Sequence, residues 1–176
     1  MATEKKKKAG AAVMVVMGSD SDLKDLSPCM ETLEEFGVCF EAHIASAHRT
    51  HGYLKELVEK FDRGGGKVAI AAAGGAAHLP GVVAALTALP VIGVPMGSKL
   101  LGLDSLLSIV QMPAGMPVAS VAVNGARNAA LLAVQIISTG DAGLRKKYGE
   151  FRKKQSESVI AKSKKLQAKG YRNYFA

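Results

Sequence analysis

The sequence has few of the residues that mark secreted or disulfide-bonded proteins. It has no tryptophan, aromatic residues make up 5% of it, and it contains two cysteines, Cys29 and Cys39. Two cysteines are too few for a disulfide framework, which favours a reducing compartment, so we expect a cytoplasmic location. The basic start, Met1 to Lys8, is not followed by the apolar segment and cleavage site of a secretory signal peptide.

Sequence motifs of several common enzyme classes are also missing. Neither a Walker-type phosphate loop nor a Gly-x-Gly-x-x-Gly motif follows the first apolar run. No His, Cys and Asp residues have the spacing of metal ligands. Ser19 and Ser46, the candidate serine nucleophiles, do not lie on a Gly-x-Ser-x-Gly turn. These absences argue against a nucleoside triphosphatase, a dinucleotide-binding enzyme, a metalloenzyme and an α/β-hydrolase.

Charge is distributed unevenly along the chain. The formal net charge is +8, but residues 1–8 carry +3, residues 141–176 carry +8, and residues 9–140 carry −3. Because the body is mildly acidic, we predict no nucleic-acid partner. A protein that binds DNA or RNA through its basic ends is the alternative, and it predicts salt-sensitive binding.

A run of 31 residues without Asp, Glu, Lys or Arg separates Lys67 from Lys99. Its length is sufficient for a membrane helix. However, Pro80, Pro90 and Pro95 interrupt it, together with several glycines. A buried strand–helix–strand unit explains these interruptions better, so we predict no membrane span.

Apolar runs alternate with segments of helical periodicity along most of the chain. We predict strands at residues 13–17, 38–45, 67–73, 91–94 and 118–123, and helices at residues 23–36, 51–63, 77–89, 103–110 and 126–138. Pro28 should kink the first helix or delay its start. The pattern predicts a three-layer α/β/α fold with a flavodoxin-like parallel sheet of strand order 2-1-3-4-5. We assign residues 11–140 to one catalytic domain, preceded by a disordered basic arm at residues 1–10.

Residues 141–176 are predicted to form a long helix that begins at Asp141. An apolar stripe runs along this helix: Leu144, Tyr148, Phe151, Val159 and Leu166. Such a stripe needs a surface to cover. We expect the helix to pack on a neighbouring subunit of a homo-oligomer; packing on its own domain is the alternative.

Three loops that follow the first three strands carry the candidate site residues. Because these strands are neighbours in the predicted sheet, their loops should meet at one edge. The candidates are Ser19, Ser21 and Asp22 in the first loop, Ser46, His48 and Arg49 in the second, and Gly74, Gly75 and His78 in the third.

Each candidate has a chemical reason and a plainer alternative. His48 can give and take a proton near neutral pH, and Arg49 can bind a phosphate or a carboxylate. The first loop can bind an anion or merely cap its helix. His78 can contact a ligand or cap its own helix. Together the loops indicate a small phosphorylated ligand and one proton carrier.

Four blocks of the sequence resemble those of the 5-(carboxyamino)imidazole ribonucleotide mutases of purine biosynthesis. The blocks are residues 18–22, 46–50, 74–81 and 105–113, and the similarity covers roughly residues 13–138 in matching order. The resemblance implies interconversion of 5-(carboxyamino)imidazole ribonucleotide and 4-carboxy-5-aminoimidazole ribonucleotide, without a cofactor, metal or ATP. It also implies an octamer in which the C-terminal helix packs on a neighbouring subunit.

The resemblance assigns a role to each matching residue. It makes His48 the catalytic histidine and Ser19, Ser21, Asp22 and Arg49 the phosphate- and ribose-binding residues. The Gly74–Gly75 loop would carry the base and the migrating carboxylate. We also expect Ser46 and His78 to contact the substrate.

Two other functions remain open at this point. An aminoimidazole ribonucleotide carboxylase that uses free CO₂ would share the fold and the histidine, although the third loop favours the mutase. A non-catalytic nucleotide sensor of the receiver type would need an aspartate after the third strand, where this chain has Ala73, Gly74 and Gly75.

Overall fold

The computed structural model describes residues 10–175 of the chain. Strands and helices alternate as predicted, and their bounds are β1 Val13–Met17, α1 Leu23–Phe36, β2 Phe40–Ile44, α2 His51–Arg63, β3 Val68–Ala73, α3 Leu79–Leu86, β4 Val91–Pro95, α4 Leu103–Val110, β5 Ala119–Ser120, α5 Ala126–Ser138 and α6 Ala142–Lys169. Short 3₁₀ turns lie at Asp20–Asp22 and Tyr171–Asn173. Residues 1–9 of the predicted basic arm lie outside the described residues.

The five strands form one sheet of order β2-β1-β3-β4-β5, and every pair is parallel. The predicted fold class is therefore confirmed. β1, β3 and β4 are buried at every position, as expected for parallel strands that helices cover on both faces. The carboxyl ends of four long strands thus meet at one edge of the sheet.

Alternate residues of the central strands point to opposite faces of the sheet. On one face, residues of β1 and β3 pack with helices α2, α3 and α4, in a cluster that includes Met14, Val16, Ala69, Ala71, Leu54, Val58, Val83 and Ile109. The connection from β1 to β2 runs in the opposite direction along the sheet, which places α1 on the other face. There α1 buries Leu26, Cys29, Leu33 and Phe36.

Pro28 does not delay the start of α1, which begins at Leu23. Proline has no backbone N–H, so the carbonyl of Lys24 lacks its usual donor four residues later. The Ser27 hydroxyl donates a hydrogen bond to that carbonyl at 3.1 Å. The neighbouring serine therefore replaces the bond that Pro28 removes, which the apolar spacing alone could not predict.

The prediction of a fifth strand at residues 118–123 was too long. The strand ladder covers only Ala119–Ser120, paired with Ile92 and Gly93 of β4. Beyond it the chain keeps isolated hydrogen bonds, from Val121 N to Gly93 O and from Asn124 N to Pro95 O. Asn124 has a left-handed φ of 53°, which turns the chain away from the sheet edge.

The third helix is also shorter than the predicted range of residues 77–89, because both of its ends are committed to other contacts. At its start, the amides of Ala77 and His78 donate to Gly75 O and Ala76 O in a tight turn. At its end, Thr87 is extended and its hydroxyl donates to Asp62 at 2.5 Å.

The chain contains two compact units, residues up to Ile137 and residues from Ser138 onward. The second unit consists mainly of α6, where the Asp141 side chain accepts a hydrogen bond from Leu144 N at 2.9 Å. Asp141 is thus the N-cap of the predicted long helix. Across residues 10–175, no helix combines the length and the apolar character needed to cross a membrane.

Candidate active site

The loops after β1, β2, β3 and β4 enclose a cleft of about 520 Å³ at the carboxyl edge of the sheet. Eight of the nine candidate residues line it: Ser19, Ser21, Asp22, Ser46, His48, Arg49, Gly74 and Gly75. The ninth, His78, contacts His48. The structure therefore brings together all the site residues that the sequence predicted.

A pair of histidines joins the second loop to the third. His48 Nε2 lies 2.8 Å from His78 Nδ1, and the two rings meet edge to face with centroids 4.9 Å apart. One of these nitrogens donates and the other accepts, so a proton lies between the rings. His78 thereby orients the His48 imidazole, a contact across 30 residues that no sequence motif indicated.

Arg49 joins the second loop to the first. Its Nη2 donates to the carbonyl of Gly18 at 3.1 Å, and its Nε donates to Ser46 Oγ at 3.3 Å. The Ser46 turn is closed by Thr50, whose hydroxyl accepts from Ser46 N at 2.8 Å. These bonds leave part of the fork-shaped guanidinium available for an anion in the cleft.

The first loop presents two hydroxyls to the cleft. Ser19 is the N-cap of the 3₁₀ turn Asp20–Asp22, and its Oγ accepts from Ser21 Oγ at 2.9 Å. Capping and anion binding are therefore compatible here, because the capping serine itself lines the cleft. With Arg49, these groups form the donor-rich side of the cleft.

The third loop is shaped by Ser105, a fully buried residue at the start of α4. Its hydroxyl accepts a hydrogen bond from Gly75 N at 2.9 Å and donates one to Met96 O at 2.8 Å. Ser105 therefore fastens the loop after β3 to the end of β4. Gly75 has a φ of 67°, a conformation that favours glycine.

The fourth loop was missed in the sequence. Gly97, Ser98, Lys99 and Asp104 line the cleft beside Gly74. These residues belong to no motif, and the fourth block of resemblance begins at the next residue, Ser105. The predicted strand order held the only signal, because it places the end of β4 next to the end of β3.

Comparison with known proteins identifies the family. Residues 12–158 match the family model described as AIR carboxylase. The chain belongs to the AIR carboxylase family. No group of three or more His, Cys, Asp or Glu residues that could hold a metal ion occurs within residues 10–175.

Relatives in the family differ in length and in name. An N5-carboxyaminoimidazole ribonucleotide mutase of Pyrococcus horikoshii is 50% identical over 165 residues, which are 93% of this chain and 93% of the relative. A phosphoribosylaminoimidazole carboxylase of Saccharomyces cerevisiae is 52% identical over 163 residues, 92% of this chain. The chain spans 28% of the length of that yeast relative.

A solved family structure has the same fold. The crystal structure of Treponema denticola PurE superimposes with a TM-score of 0.80 at 28% identity, and covers 88% of this chain and 97% of that one. The similarity therefore extends over nearly the whole of the Treponema chain.

The carboxyl of Asp22 is partly withdrawn from water at the cleft. Burial raises its pKa above the ordinary value, and nearby Asp25 and Asp20 add to the rise, while hydrogen bonds from Ser19 and Ser21 oppose it. The folded protein therefore holds this proton to a higher pH than the unfolded chain does. Ionisation of Asp22 accordingly reduces stability as the pH rises from the ordinary value through the folded-state pKa.

We expect Asp22→Asn to raise the thermal unfolding temperature at pH 7, because asparagine cannot ionise and Asp22 makes no side-chain capping hydrogen bond that the change would remove. The difference should vanish near pH 3, below the ordinary aspartate pKa of about 3.9, where both side chains are neutral. Thermal unfolding at both pH values measures this, with Glu31→Gln on the exposed face of α1 as the control. A lower unfolding temperature for Asp22→Asn at pH 7 would contradict the assignment.

Proposed function

We propose that the chain interconverts 5-(carboxyamino)imidazole ribonucleotide and 4-carboxy-5-aminoimidazole ribonucleotide, with His48 as general acid and base. The observation that carries this proposal is the position of His48, hydrogen-bonded to His78 within the cleft that Gly74 and Gly75 line. Mutase relatives of similar length, 50% identical to this chain, support the same reaction. The chain is thus a nucleotide-binding isomerase of purine biosynthesis.

The reaction needs one proton carrier. Protonated His48 gives its proton to the carbamate nitrogen as the N–C bond breaks, which releases CO₂ and leaves a neutral amine. Ring carbon 4 then attacks the retained CO₂, and neutral His48 removes the proton from that carbon. The proton returns to His48, so the cycle has no net proton change and uses no cofactor.

The remaining residues bind the substrate. Ser19, Ser21 and Arg49 hold the phosphate, and Asp22 accepts hydrogen bonds from the ribose hydroxyls. Ser46 positions Arg49, and His78 holds the His48 ring. The small residues of the Gly74–Gly75 loop let the base and the CO₂ lie against the backbone, where confinement greatly raises the effective concentration of CO₂.

The direct carboxylase is the second candidate, because relatives such as the yeast protein carry that name. The test offers purified protein either the carbamate or aminoimidazole ribonucleotide with bicarbonate, at equal low concentration, with a protein-free blank. We expect turnover of the carbamate. Turnover of the amine with bicarbonate alone would establish the carboxylase instead.

Two variants separate catalysis from binding. His48→Asn should bind the nucleotide but lose about 10²- to 10⁴-fold in kcat, because it cannot transfer the proton. Arg49→Ala should mainly raise KM, by about ten- to hundredfold, because it removes a charge-assisted bond to phosphate. Steady-state kinetics and calorimetry measure both effects. Near-normal activity of His48→Asn would refute the acid–base role.

We also propose a homo-octamer in which α6 packs on a neighbouring subunit. Large apolar side chains are exposed on two surfaces: Leu100, Leu101, Leu103, Leu107 and Val110 on and before α4, and Val159, Ile160 and Leu166 on α6. Exposed apolar clusters of this kind are typical of interfaces. Light scattering after gel filtration should give the mass of an octamer of 18.3 kDa chains; a monomer mass would contradict the proposal.

We place the protein in the cytoplasm, without a nucleic-acid or membrane partner. The low cysteine content supports this location. Cys29 is also a buried thiol whose pKa is raised by burial to about 12, so its reactive thiolate form is suppressed. The acidic body and the confinement of the net basic charge to the ends support the absence of a nucleic-acid partner.

A further inference from the structure

We propose that Lys99 binds the carboxylate that the reaction moves, and that it lets the site distinguish carboxylated ribonucleotides from the bare amine. This inference rests on the proposed function and adds to it a residue that determines specificity. It comes from the fourth loop of the cleft, which carries none of the residues that the proposed reaction uses.

Lys99 is a cation of the cleft that is available to a ligand. It lines the cleft and is exposed, and its ammonium group makes no hydrogen bond or ion pair with any residue from 10 to 175. Arg49, the other permanent cation of the cleft, is held by Gly18 O and Ser46 Oγ on the opposite side. A ligand with two anionic groups therefore meets one cation at each end.

The strand order separates these two cations. Arg49 follows β2 and Lys99 follows β4, with β1 and β3 between them. At about 4.8 Å per strand, the two loops leave the sheet about 14 Å apart. The hydroxyls of Ser19 and Ser21 lie on the Arg49 side, which suits the phosphate. The Gly74–Gly75 loop lies between the two cations, and the contact of His48 with His78 brings the proton carrier to the same loop. In the proposed complex the base lies on this loop and its carboxylate is directed towards Lys99.

The other polar groups beside Lys99 are already paired. The Ser98 hydroxyl donates to the Asp104 carboxylate and accepts from Gly102 N at 3.1 Å. Gly97 N donates to Asn124 Oδ1 at 2.8 Å. Asp104 is the nearby anion in the cleft; its bond with Ser98 fixes the carboxylate in place but does not neutralise it. Lys99 provides the positive charge of this loop.

The backbone that carries Lys99 is fixed on both sides. Asn124 bonds to Gly97 and to Pro95 at 2.8 Å each. Gly102, with a φ of 83°, packs so closely that a Cβ there would lie 2.4 Å from Val123. The side chain, in contrast, is a flexible stem with a point charge. Such a group can follow a carboxylate from the exocyclic nitrogen to ring carbon 4.

A cation that binds the carboxylate equally in substrate and product contributes uniform binding, which changes KM rather than kcat. Lys99→Gln should therefore raise KM in both directions and leave kcat nearly unchanged. For an exposed pair we expect about a two- to fivefold effect. The effect should shrink at high salt, because exposed charges are screened.

The experiment compares two nucleotides by calorimetry: 4-carboxy-5-aminoimidazole ribonucleotide and aminoimidazole ribonucleotide, which share the phosphate and differ in the carboxylate. Lys99→Gln should weaken binding of the first by about two- to fivefold and leave the second unchanged, while Lys99→Arg should restore binding of the first. Lys67→Gln is the matched control, because Lys67 is exposed at the amino end of β3, away from the cleft.

Each other outcome overturns the proposal. Equal weakening of both nucleotides would assign Lys99 to the phosphate or to the general field of the cleft. Unchanged affinity for both would show that Lys99 binds neither. Failure of the wild-type protein to interconvert the nucleotides would refute the proposed function, while the calorimetric comparison would still report on Lys99.

Discussion

The parallel pairing of β3 with β1 on one side and β4 on the other is the constraint on which the rest of the structure depends. Parallel strands all end at the same edge, so this pairing places the loops after β1, β3 and β4 side by side. Because the alanine side chains of β3 are small, α3 packs closely against this central strand. The cleft exists because these loops cannot separate without breaking the sheet.

The sequence predicted the fold and most of the cleft from local signals. Alternating apolar periodicities indicated the parallel sheet, and unusual loop chemistry after three strands indicated the site. It did not predict the bond between His48 and His78, because the two side chains are 30 residues apart and meet only through the strand order. The loop at Gly97–Lys99 was missed because its residues are ordinary in type and significant only in position.

Element boundaries departed from the predictions where side chains replace or compete with backbone bonds. The Ser27 hydroxyl donates to the carbonyl of Lys24, which Pro28 leaves without a backbone donor, so α1 starts where the apolar pattern starts. β5 ends at Ser120, and beyond it Asn124 bonds to the chain around β4 through both its backbone and its side chain instead of continuing the ladder. Such side-chain hydrogen bonds depend on rotamers and distances, which hydrophobic periodicity does not encode.

The hydrogen bond from Gly75 to Ser105 limits which backbone N–H groups of the cleft can contact a ligand. The Gly75 N–H already donates to the Ser105 hydroxyl, and the N–H groups of Ala77 and His78 donate to carbonyls within the turn. Along this loop, only the amides of Gly74 and Ala76 donate to no group within residues 10–175. The backbone of this loop therefore leaves two N–H groups for a ligand, those of Gly74 and Ala76, on either side of the amide that is bonded to the buried Ser105.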